Sequence, residues 1–255
     1  MANSLLDYQA PEHLLQGQCI LITGAANGLG YALSMEAARL GATVILLDRE
    51  MRRLESVYDE IEAKGYPQPA IYPLDLEGAT HKDYDDLAQN IKKELGTLNA
   101  LVHCAVAITP PRPLENYAAD DWYKMIQTNL NGPFMLTQAC LPLLKASGNA
   151  RIIFSTDEKT RAYWGAFGVA KAGIEGLTKI LAHEAAPAHP NDPATLTVNA
   201  IDPGPMRTRS RALVYPGESR NELPATESRT PPYLYLLGPE GLKQNGQIIR
   251  FTAED

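Results

Sequence analysis

Seven short apolar runs, separated by longer segments with helical spacing, constrain the fold of this chain more than any other feature. The runs are Cys19 to Ile22, Thr43 to Leu47, Ala70 to Pro73, Ala100 to Cys104, Ile152 to Phe154, Leu196 to Ile201 and Gln247 to Phe251. In one intervening segment, Leu87, Ile91 and Leu95 recur at the spacing of an amphipathic helix. Strands that are apolar along their length are covered on both faces, and their alternation with helices is typical of a parallel sheet. We therefore predict an α/β, three-layer, doubly wound fold with a seven-stranded parallel sheet.

The composition indicates one soluble domain over residues 1–255. A chain of 255 residues, 45% of them hydrophobic, can bury a single large core. The formal net charge of −7, from 30 acidic and 23 basic residues, comes without a concentrated basic segment, so we expect neither nucleic acid nor a membrane as a partner. Met1 to Leu15 contains no continuous apolar run of the kind found in signal peptides, which favours a cytoplasmic location.

The cysteines and histidines indicate no disulfide and no metal site. Cys19, Cys104 and Cys140 are widely spaced and odd in number, and each lies in an apolar segment, where a free thiol behaves as a small hydrophobic group. The five histidines lack the spacing of metal ligands. We interpret His103 as a buried histidine with a satisfied hydrogen bond, and a catalytic role is the alternative.

A glycine-rich segment follows the first apolar run directly and leads into a predicted helix that ends near Leu40. Its sequence is Thr23-Gly24-Ala25-Ala26-Asn27-Gly28-Leu29-Gly30. Glycine at a strand-to-helix turn permits close approach of the backbone to a diphosphate, which the N–H groups and the dipole of the helix N-terminus stabilise. We therefore predict a Rossmann fold that binds a dinucleotide, and a glycine-rich turn without a ligand is the alternative. The predicted cofactor-binding residues in this segment are Thr23, Gly24, Asn27, Gly28, Leu29 and Gly30.

Asp48 ends the second strand-like segment and bears on the choice of cofactor. A carboxylate at this position accepts hydrogen bonds from the adenosine ribose hydroxyls and repels a 2′-phosphate. Arg49, the next residue, is able to pair with that phosphate instead. We therefore predict NAD as the favoured cofactor and keep NADP as the alternative.

The glycine segment resembles a family motif when it is read with Asn129, Lys171 and Pro203-Gly204. This combination is similar to the short-chain dehydrogenase/reductase family, and the resemblance extends from about Leu15 to the end of the chain. Details such as Trp164-Gly165-Ala166 resemble the bacterial YciK-type branch of the family. The resemblance implies hydride transfer between a nicotinamide and a carbonyl or alcohol carbon of a small-molecule substrate.

The same resemblance implies roles for individual residues. Asn129 would organise a water relay, Lys171 would bind the ribose, and Asp75 would contact the adenine. Thr208 would contact the nicotinamide carboxamide. The remaining cofactor contacts that the resemblance implies are Leu76, Ala105, Pro203 and Gly204.

The chain departs from the family's catalytic pattern four residues before Lys171. The resemblance implies a tyrosine there as proton donor and acceptor, whereas this chain has Phe167, which has no ionisable group. The hydroxyl that polarises the substrate oxygen would belong to Ser155 or Thr156. Tyr163 is the nearest phenol in the sequence, and we hypothesise that it reaches toward the nicotinamide; a tyrosine packed in a loop is the alternative.

These residues leave more than one function open. The first is an oxidoreductase with a substitute acid in place of the tyrosine. The second is a catalytically impaired dinucleotide-binding protein that acts as a sensor or as a subunit of an assembly. The third is an enzyme of the same fold with other chemistry, such as the addition or removal of water.

Two further expectations concern loops and assembly. Prolines predict loops at Ala186 to Pro193 and Pro203 to Pro224, and we expect residues 205–229 to form a substrate loop or lid at the carboxyl edge of the sheet. The helical stretches Asp120 to Ala146 and Ala166 to Ala185 are apolar on more than one face, which predicts a homodimer or homotetramer.

Overall fold

The computed structural model describes residues 5–187, 189 and 194–251. The strands within this part of the chain are β1 (Cys19–Thr23), β2 (Thr43–Asp48), β3 (Ala70–Pro73), β4 (Ala100–His103), β5 (Ala150–Ser155), β6 (Leu196–Asp202) and β7 (Ile248–Arg250). The helices that surround them are α1 (Gly28–Arg39), α2 (Met51–Ala63), α3 (His81–Glu94), α4 (Ala119–Ile126), α5 (Gly132–Ser147), α6 (Gly165–Glu184), α7 (Arg209–Val214) and α8 (Pro231–Leu237). A π-helical segment, Gln127–Asn131, joins α4 to α5, and short 3-10 helices cover Leu114–Asn116, Thr226–Arg229 and Pro239–Lys243.

The strands form one parallel sheet in the order β3-β2-β1-β4-β5-β6-β7. Thr23 at the end of β1 pairs with Leu47 of β2 and with His103 of β4, and Ser155 at the end of β5 pairs with Ile201. The carboxyl ends of the strands therefore meet at one edge. The predicted three-layer, doubly wound fold with a seven-stranded parallel sheet is confirmed. Because the strand order reverses at β1, the loops after β1 and β4 leave in opposite directions and open a crevice between them.

Apolar side chains cover both faces of the sheet. Along β1, Ile20 and Ile22 pack into the core on one face, whereas Cys19 and Leu21 pack into the core on the other. Successive side chains of a strand point to opposite faces, so burial on both sides requires the continuous apolar run seen in the sequence. The three cysteines are free, and Cys140 is buried together with Cys19.

Two segments differ from their sequence predictions. The predicted continuous helix from Asp120 to Ala146 is interrupted by the π-helical segment Gln127–Asn131. The predicted loop from Pro203 to Pro224 contains α7, and the Thr208 hydroxyl caps this helix by accepting a hydrogen bond from the Arg211 amide at 3.0 Å. A capping threonine followed by arginine, alanine and leucine favours a helix, and this local signal outweighs the flanking prolines.

The remaining expectations at the level of the fold concern loops, membranes and metals. The predicted loop from Ala186 to Pro193 lies largely outside the described residues. Among the residues that the structure describes, no helix is long and apolar enough to cross a membrane. The same part of the chain contains no group of three or more His, Cys, Asp or Glu side chains arranged to hold a metal ion.

Candidate active site

A cleft of about 1090 Å³ opens at the carboxyl edge of the sheet. It is bounded by the loop after β1, by the ends of β2, β5 and β6, and by α7. The predicted site residues that line it are Gly24, Asn27, Gly28, Leu29, Asp48, Arg49, Asp75, Leu76, Ala105, Ser155, Thr156, Phe167, Lys171, Pro203, Gly204 and Thr208. The predicted residues outside this lining are Thr23, Gly30, Asn129 and Tyr163. The volume is at the upper end of the range for small-molecule sites, so the cleft has room for a large ligand.

The glycine loop brings its backbone close to neighbouring atoms. Gly30 lies in the first turn of α1, and a Cβ atom there would lie 2.2 Å from the carbonyl oxygen of Gly24. Only glycine fits at this position. Asn27 is the N-cap residue of α1, but its side chain caps no amide of the helix. The amides of the first turn therefore remain available to an anion in the cleft.

Thr23 holds the end of β1 against the end of β4. Its Oγ1 accepts hydrogen bonds from the backbone amides of Cys104 at 3.1 Å and Ala105 at 3.0 Å. The threonine is fully buried. Thr23 does not line the cleft itself. Its two hydrogen bonds fix the backbone just after β4, where Ala105 lines the cleft.

Charges of both signs lie at the end of β2. Asp48 accepts hydrogen bonds from the amide of Ala26 at 3.3 Å and from the amide of Glu50 at 3.1 Å, one at each carboxylate oxygen. Arg49 is exposed, and its Nη1 lies 3.9 Å from a carboxylate oxygen of Asp75. A fixed carboxylate therefore faces the glycine loop, while the neighbouring guanidinium is directed toward a second carboxylate.

Asn129 lies in the π-helical segment and is buried. Its Nδ2 donates hydrogen bonds to the carbonyls of Met125 and Ala107, each at 2.9 Å, and its Oδ1 accepts one from the Ala107 amide at 3.2 Å. The side chain thus links this helix to the loop that follows β4. Interruptions of this kind occur often at functional sites. The water relay implied for Asn129 stays a prediction.

Lys171 projects from α6 beside Phe167 and is 6% exposed. Its Nζ donates a hydrogen bond to the carbonyl of Ser155 at 2.9 Å and lies 5.6 Å from the centroid of the Phe167 ring. Burial lowers the pKa of Lys171, and the nearby carboxylate of Asp157 acts in the opposite direction. A spacing of four residues places Phe167 and Lys171 on one face of the helix, and both line the cleft.

The two candidate hydroxyls are hydrogen-bonded to groups inside the protein. Ser155 Oγ lies 2.9 Å from the phenol oxygen of Tyr233, which is fully buried. Burial raises the pKa of Tyr233 well above its ordinary value, so this phenol stays protonated. Thr156 Oγ1 donates to the carbonyl of Lys171 at 3.4 Å and is therefore directed toward α6. Ser155 is the hydroxyl residue of the two with more exposure to the cleft.

Comparison with known proteins identifies the family. The family described as short chain dehydrogenase matches residues 18–218, which include the glycine loop, Lys171 and α7. This chain belongs to the short-chain dehydrogenase family. This family member is 35% identical to the uncharacterized oxidoreductase YciK of Escherichia coli strain K12 over 247 residues, which cover 96% of this chain and 95% of YciK.

Solved structures of related proteins support the same assignment. A Pseudomonas syringae protein described as a short chain dehydrogenase is 43% identical and superposes with a TM-score of 0.91, covering 96% of this chain and 98% of its own. A second, from Escherichia coli CFT073 and described as complexed with NADPH, is 35% identical with a TM-score of 0.89, covering 96% of this chain and 100% of its own. Sequence and structure therefore agree on the family and on the fold.

Tyr163 of this dehydrogenase-family protein lies outside the cleft. Its backbone has a φ of 75°, its side chain is 59% exposed, and its carbonyl accepts a hydrogen bond from the amide of Arg112 at 2.9 Å. Helix α6 begins only at Gly165, so the helical spacing that would place Tyr163 one turn before Phe167 does not apply. The structure gives no support to the hypothesis that Tyr163 reaches toward the nicotinamide.

His103 is the last residue of β4; its side chain is buried and does not line the cleft. Its Nε2 lies 2.9 Å from Thr137 Oγ1, and its ring stacks on Phe154 with the centroids 4.7 Å apart. Burial, together with the positive charge of Lys171, lowers the pKa of His103 to about 3. His103 is therefore buried as expected, but its hydrogen bonding is satisfied only in part, because Nδ1 has no hydrogen-bond partner among the described residues.

Several residues in and around the cleft were not predicted from the sequence. Asp157 and Lys159 follow β5 and line the cleft, as does Trp164 just before α6. Arg53 reaches from α2 to the glycine loop and donates a hydrogen bond to Asn27 Oδ1. The one available signal was the position of Asp157, a carboxylate that comes soon after a buried strand at the carboxyl edge. Lys159 and Arg53 give no such signal, because a loop and a helix bring them to the site.

Proposed function

We propose that this chain is an oxidoreductase that transfers hydride between a nicotinamide dinucleotide and the carbonyl or alcohol carbon of a small-molecule substrate. The observation that carries the proposal is that the glycine loop and Lys171 face one and the same cleft. A glycine loop alone supports only nucleotide binding, whereas a buried ammonium in the same cleft adds a group that can hold ribose hydroxyls and stabilise negative charge on a substrate oxygen. The name of YciK and the NADPH in the Escherichia coli CFT073 structure support the same class of reaction.

The residues of the cleft fit a dinucleotide. The uncapped N-terminus of α1, with Gly24 and Gly28 at the cleft wall, would hold the diphosphate. Asp48 would accept hydrogen bonds from the adenosine ribose. Lys171 uses one N–H on the Ser155 carbonyl, and an ammonium has two more to offer to the second ribose. When it is bound, the nicotinamide supplies or accepts the hydride.

We propose NAD as the preferred cofactor. Two backbone amides fix the Asp48 carboxylate beside the glycine loop, and this negative charge opposes a 2′-phosphate. Arg49, which would favour the phosphate, is directed toward Asp75. Titration calorimetry should give NADH binding at least about tenfold tighter than NADPH binding, which corresponds to about 1.4 kcal/mol.

A pair of variants tests that preference. Asp48→Gly should narrow the difference between NADH and NADPH or reverse it, because the repulsive charge is removed. Asp59→Asn, on the exposed face of α2, is the matched control and should leave the ratio unchanged. Tighter binding of NADPH by the unmodified protein would make the NAD preference wrong. Binding of neither cofactor would overturn the proposed function itself.

The phenylalanine at position 167 supports one alternative function. In this alternative, the protein binds a dinucleotide and acts as a sensor or assembly subunit without catalysis. A phenyl ring transfers no proton, and the loss of a general acid typically lowers a rate by a factor of about 10² to 10⁴. Oxidation of NADH, followed by its absorbance, with diacetyl, ethyl acetoacetate, cyclohexanone and nitrobenzaldehyde as substrates separates the two functions. Tight NADH binding without turnover of this panel would favour the alternative.

A further inference from the structure

An ion pair lies in the cleft beside Phe167. The carboxylate of Asp157 and the Nζ atom of Lys159 are 2.5 Å apart, and their side chains are 32% and 15% exposed. Lys159 Nζ lies 5.3 Å from the centroid of the Trp164 ring, which in turn lies 5.8 Å from the centroid of the Phe167 ring. All four residues line the same cleft. The arrangement therefore holds an ammonium group in the space that Phe167 faces.

The backbone around Lys159 is held tightly against α6. A Cβ atom at Gly168 would lie 2.3 Å from the carbonyl oxygen of Lys159, so the chain can approach the helix this closely only because residue 168 is glycine. On the other side, the amide of Glu158 donates a hydrogen bond to the carboxylate of Asp202 at 2.9 Å. These two contacts fix the turn that carries Lys159 next to Phe167.

The other polar groups near Phe167 are taken up by contacts inside the protein or by the cofactor contacts proposed above. Lys171 Nζ donates one N–H to the Ser155 carbonyl and would offer the other two to the second ribose, the Ser155 hydroxyl is paired with Tyr233, and the Thr156 hydroxyl faces α6. Within the described part of the chain, the side chain of Asp157 is the one polar partner of Lys159 Nζ. An ammonium group has three N–H donors, so Lys159 keeps donors for a ligand in the cleft.

We propose that Lys159 donates and accepts the proton at the substrate oxygen, in place of the hydroxyl that Phe167 lacks, and that Asp157 positions its ammonium group. This inference rests on the proposed function. In the direction of reduction, the carbonyl carbon gains hydride, its π electron pair moves to oxygen, and an N–H bond of Lys159 breaks as the O–H bond of the alcohol forms. The neutral amine then regains a proton from water. Alkylammonium and phenol groups are acids of similar strength, with reference pKa values of about 10.4 and about 10, so either can serve this reaction.

The test uses the full-length protein, NADH and the four carbonyl compounds named above. Lys159→Ala should lower kcat by about 100-fold or more, because a general acid is lost. Ethylamine added to this variant should restore turnover in a saturable way, since a small amine fills the space and donates the proton. Lys159→Arg should also lose turnover, because the guanidinium keeps the positive charge but does not release a proton to the substrate. The matched control is Lys92→Ala, which removes an exposed lysine from α3.

Two readouts are independent of turnover. NADH binding, measured by calorimetry, should be the same for Lys159→Ala and the unmodified protein. Labelling of Lys159 by an amine-reactive reagent, mapped by peptide mass spectrometry, should fall when NADH saturates the cleft, whereas labelling of Lys92 should not change.

Several outcomes would overturn the role of Lys159 while leaving the proposed function intact. They are a Lys159→Ala variant whose kcat stays within about threefold of the unmodified value, full activity of Lys159→Arg, or an absence of rescue by ethylamine. An unmodified protein that binds NADH but reduces none of the four compounds overturns the inference as well, and the oxidoreductase proposal falls with it if Phe167→Tyr is equally inactive.

Discussion

Phe167 offers the most direct chemical test at the scale of a single residue. Its ring lies with its centroid 5.6 Å from Lys171 Nζ and lines the cleft, so a tyrosine here would place a phenol next to a buried ammonium. That positive charge favours the phenolate and makes the phenol a better acid. We therefore expect Phe167→Tyr, introduced into the Lys159→Ala variant, to raise kcat with NADH by about tenfold or more.

The control for this prediction is Phe167→Leu in the same Lys159→Ala background. Leucine alters the packing of the ring position but adds no proton donor, so turnover should stay at the level of Lys159→Ala. Equal gains from tyrosine and leucine would show that the change acts through packing. No gain from tyrosine would mean that position 167 does not face the reacting oxygen.

The buried imidazole of His103 should make the stability of the protein depend on pH. The pKa of its imidazole is about 3 in the folded protein, against 6.5 for an ordinary histidine. Between these values the unfolded chain binds a proton that the folded protein does not. The free energy of unfolding therefore falls as the pH decreases from about 6.5 toward about 3, by up to about 1.4 kcal/mol per pH unit.

Replacement of His103 by glutamine should remove this contribution. Chemical denaturation between pH 7 and pH 4 should show a smaller loss of stability for His103→Gln than for the unmodified protein. His81→Gln is the matched control, because His81 is exposed on α3. Parallel pH profiles for His103→Gln and the unmodified protein would show that His103 is already protonated in the fold.

At the scale of elements, the strands follow directly from the sequence and the helix interruptions do not. Thr43 to Leu47 predicts β2 to within one residue, because burial on both faces demands a continuous apolar run. The π-helical segment Gln127–Asn131 depends on contacts across the fold, since Asn129 bonds to Ala107, a residue 22 positions away. Local periodicity carries no information about such a contact.

The site shows the same division between local and distant information. The glycine loop was predictable because its tight strand-to-helix turn is encoded in consecutive residues, Thr23 to Gly30. The place of Lys159 in the cleft was not predictable, because it depends on the close packing of the Lys159 carbonyl against Gly168 of α6. The structure gives Tyr163 no support for a related reason. Spacing along the chain gives one helical turn only if the helix extends that far, and α6 begins at Gly165.

Helix α7 and the segment after it allow a test of the predicted lid over residues 205–229. Arg211 forms two hydrogen bonds with the Glu218 carboxylate, both 2.6 Å, and its guanidinium lies 3.7 Å from the centroid of the Tyr215 ring. Glu218→Gln removes the charge of this bidentate pair, which we expect to cost about 0.5 to 1 kcal/mol of local stability. Trypsin should then cleave within the segment faster than in the unmodified protein.

Two comparisons make the lid experiment specific. Glu222→Gln, at an exposed position of the same segment, should leave the cleavage rate unchanged. Saturation with NADH should slow cleavage if the segment closes over a ligand, because Thr208 and Arg211 line the cleft. Cleavage that neither Glu218→Gln nor NADH affects would argue that the segment is a rigid wall of the cleft.

At the scale of the whole molecule, the topology determines where the cleft lies. The order β3-β2-β1-β4-β5-β6-β7 makes β1 and β4 neighbours, although two strands and three helices separate them in sequence. Loops after these strands diverge, and Thr23 bonds to Cys104 and Ala105 at the point of divergence. The glycine loop and Lys171 of α6 therefore reach one cleft from opposite halves of the chain.

The outer face of α6 leads to a prediction about assembly, and we propose that it packs against a second copy of this chain. Val169 and Ile180 are 50% and 57% exposed, and the exposed residues Ala172 and Gly176 lie between them at helical spacing. Exposed apolar side chains flanking small residues allow close approach of another helix, and a symmetric dimer pairs such a face with itself.

Light scattering at micromolar concentration should therefore give the mass of a dimer or tetramer. Ile180→Glu should lower that mass, because it introduces a charge at the contact, whereas Lys92→Glu, at an exposed position of α3, should not. A monomeric mass for the unmodified protein, or an unchanged mass for Ile180→Glu, would place the contact elsewhere or exclude it.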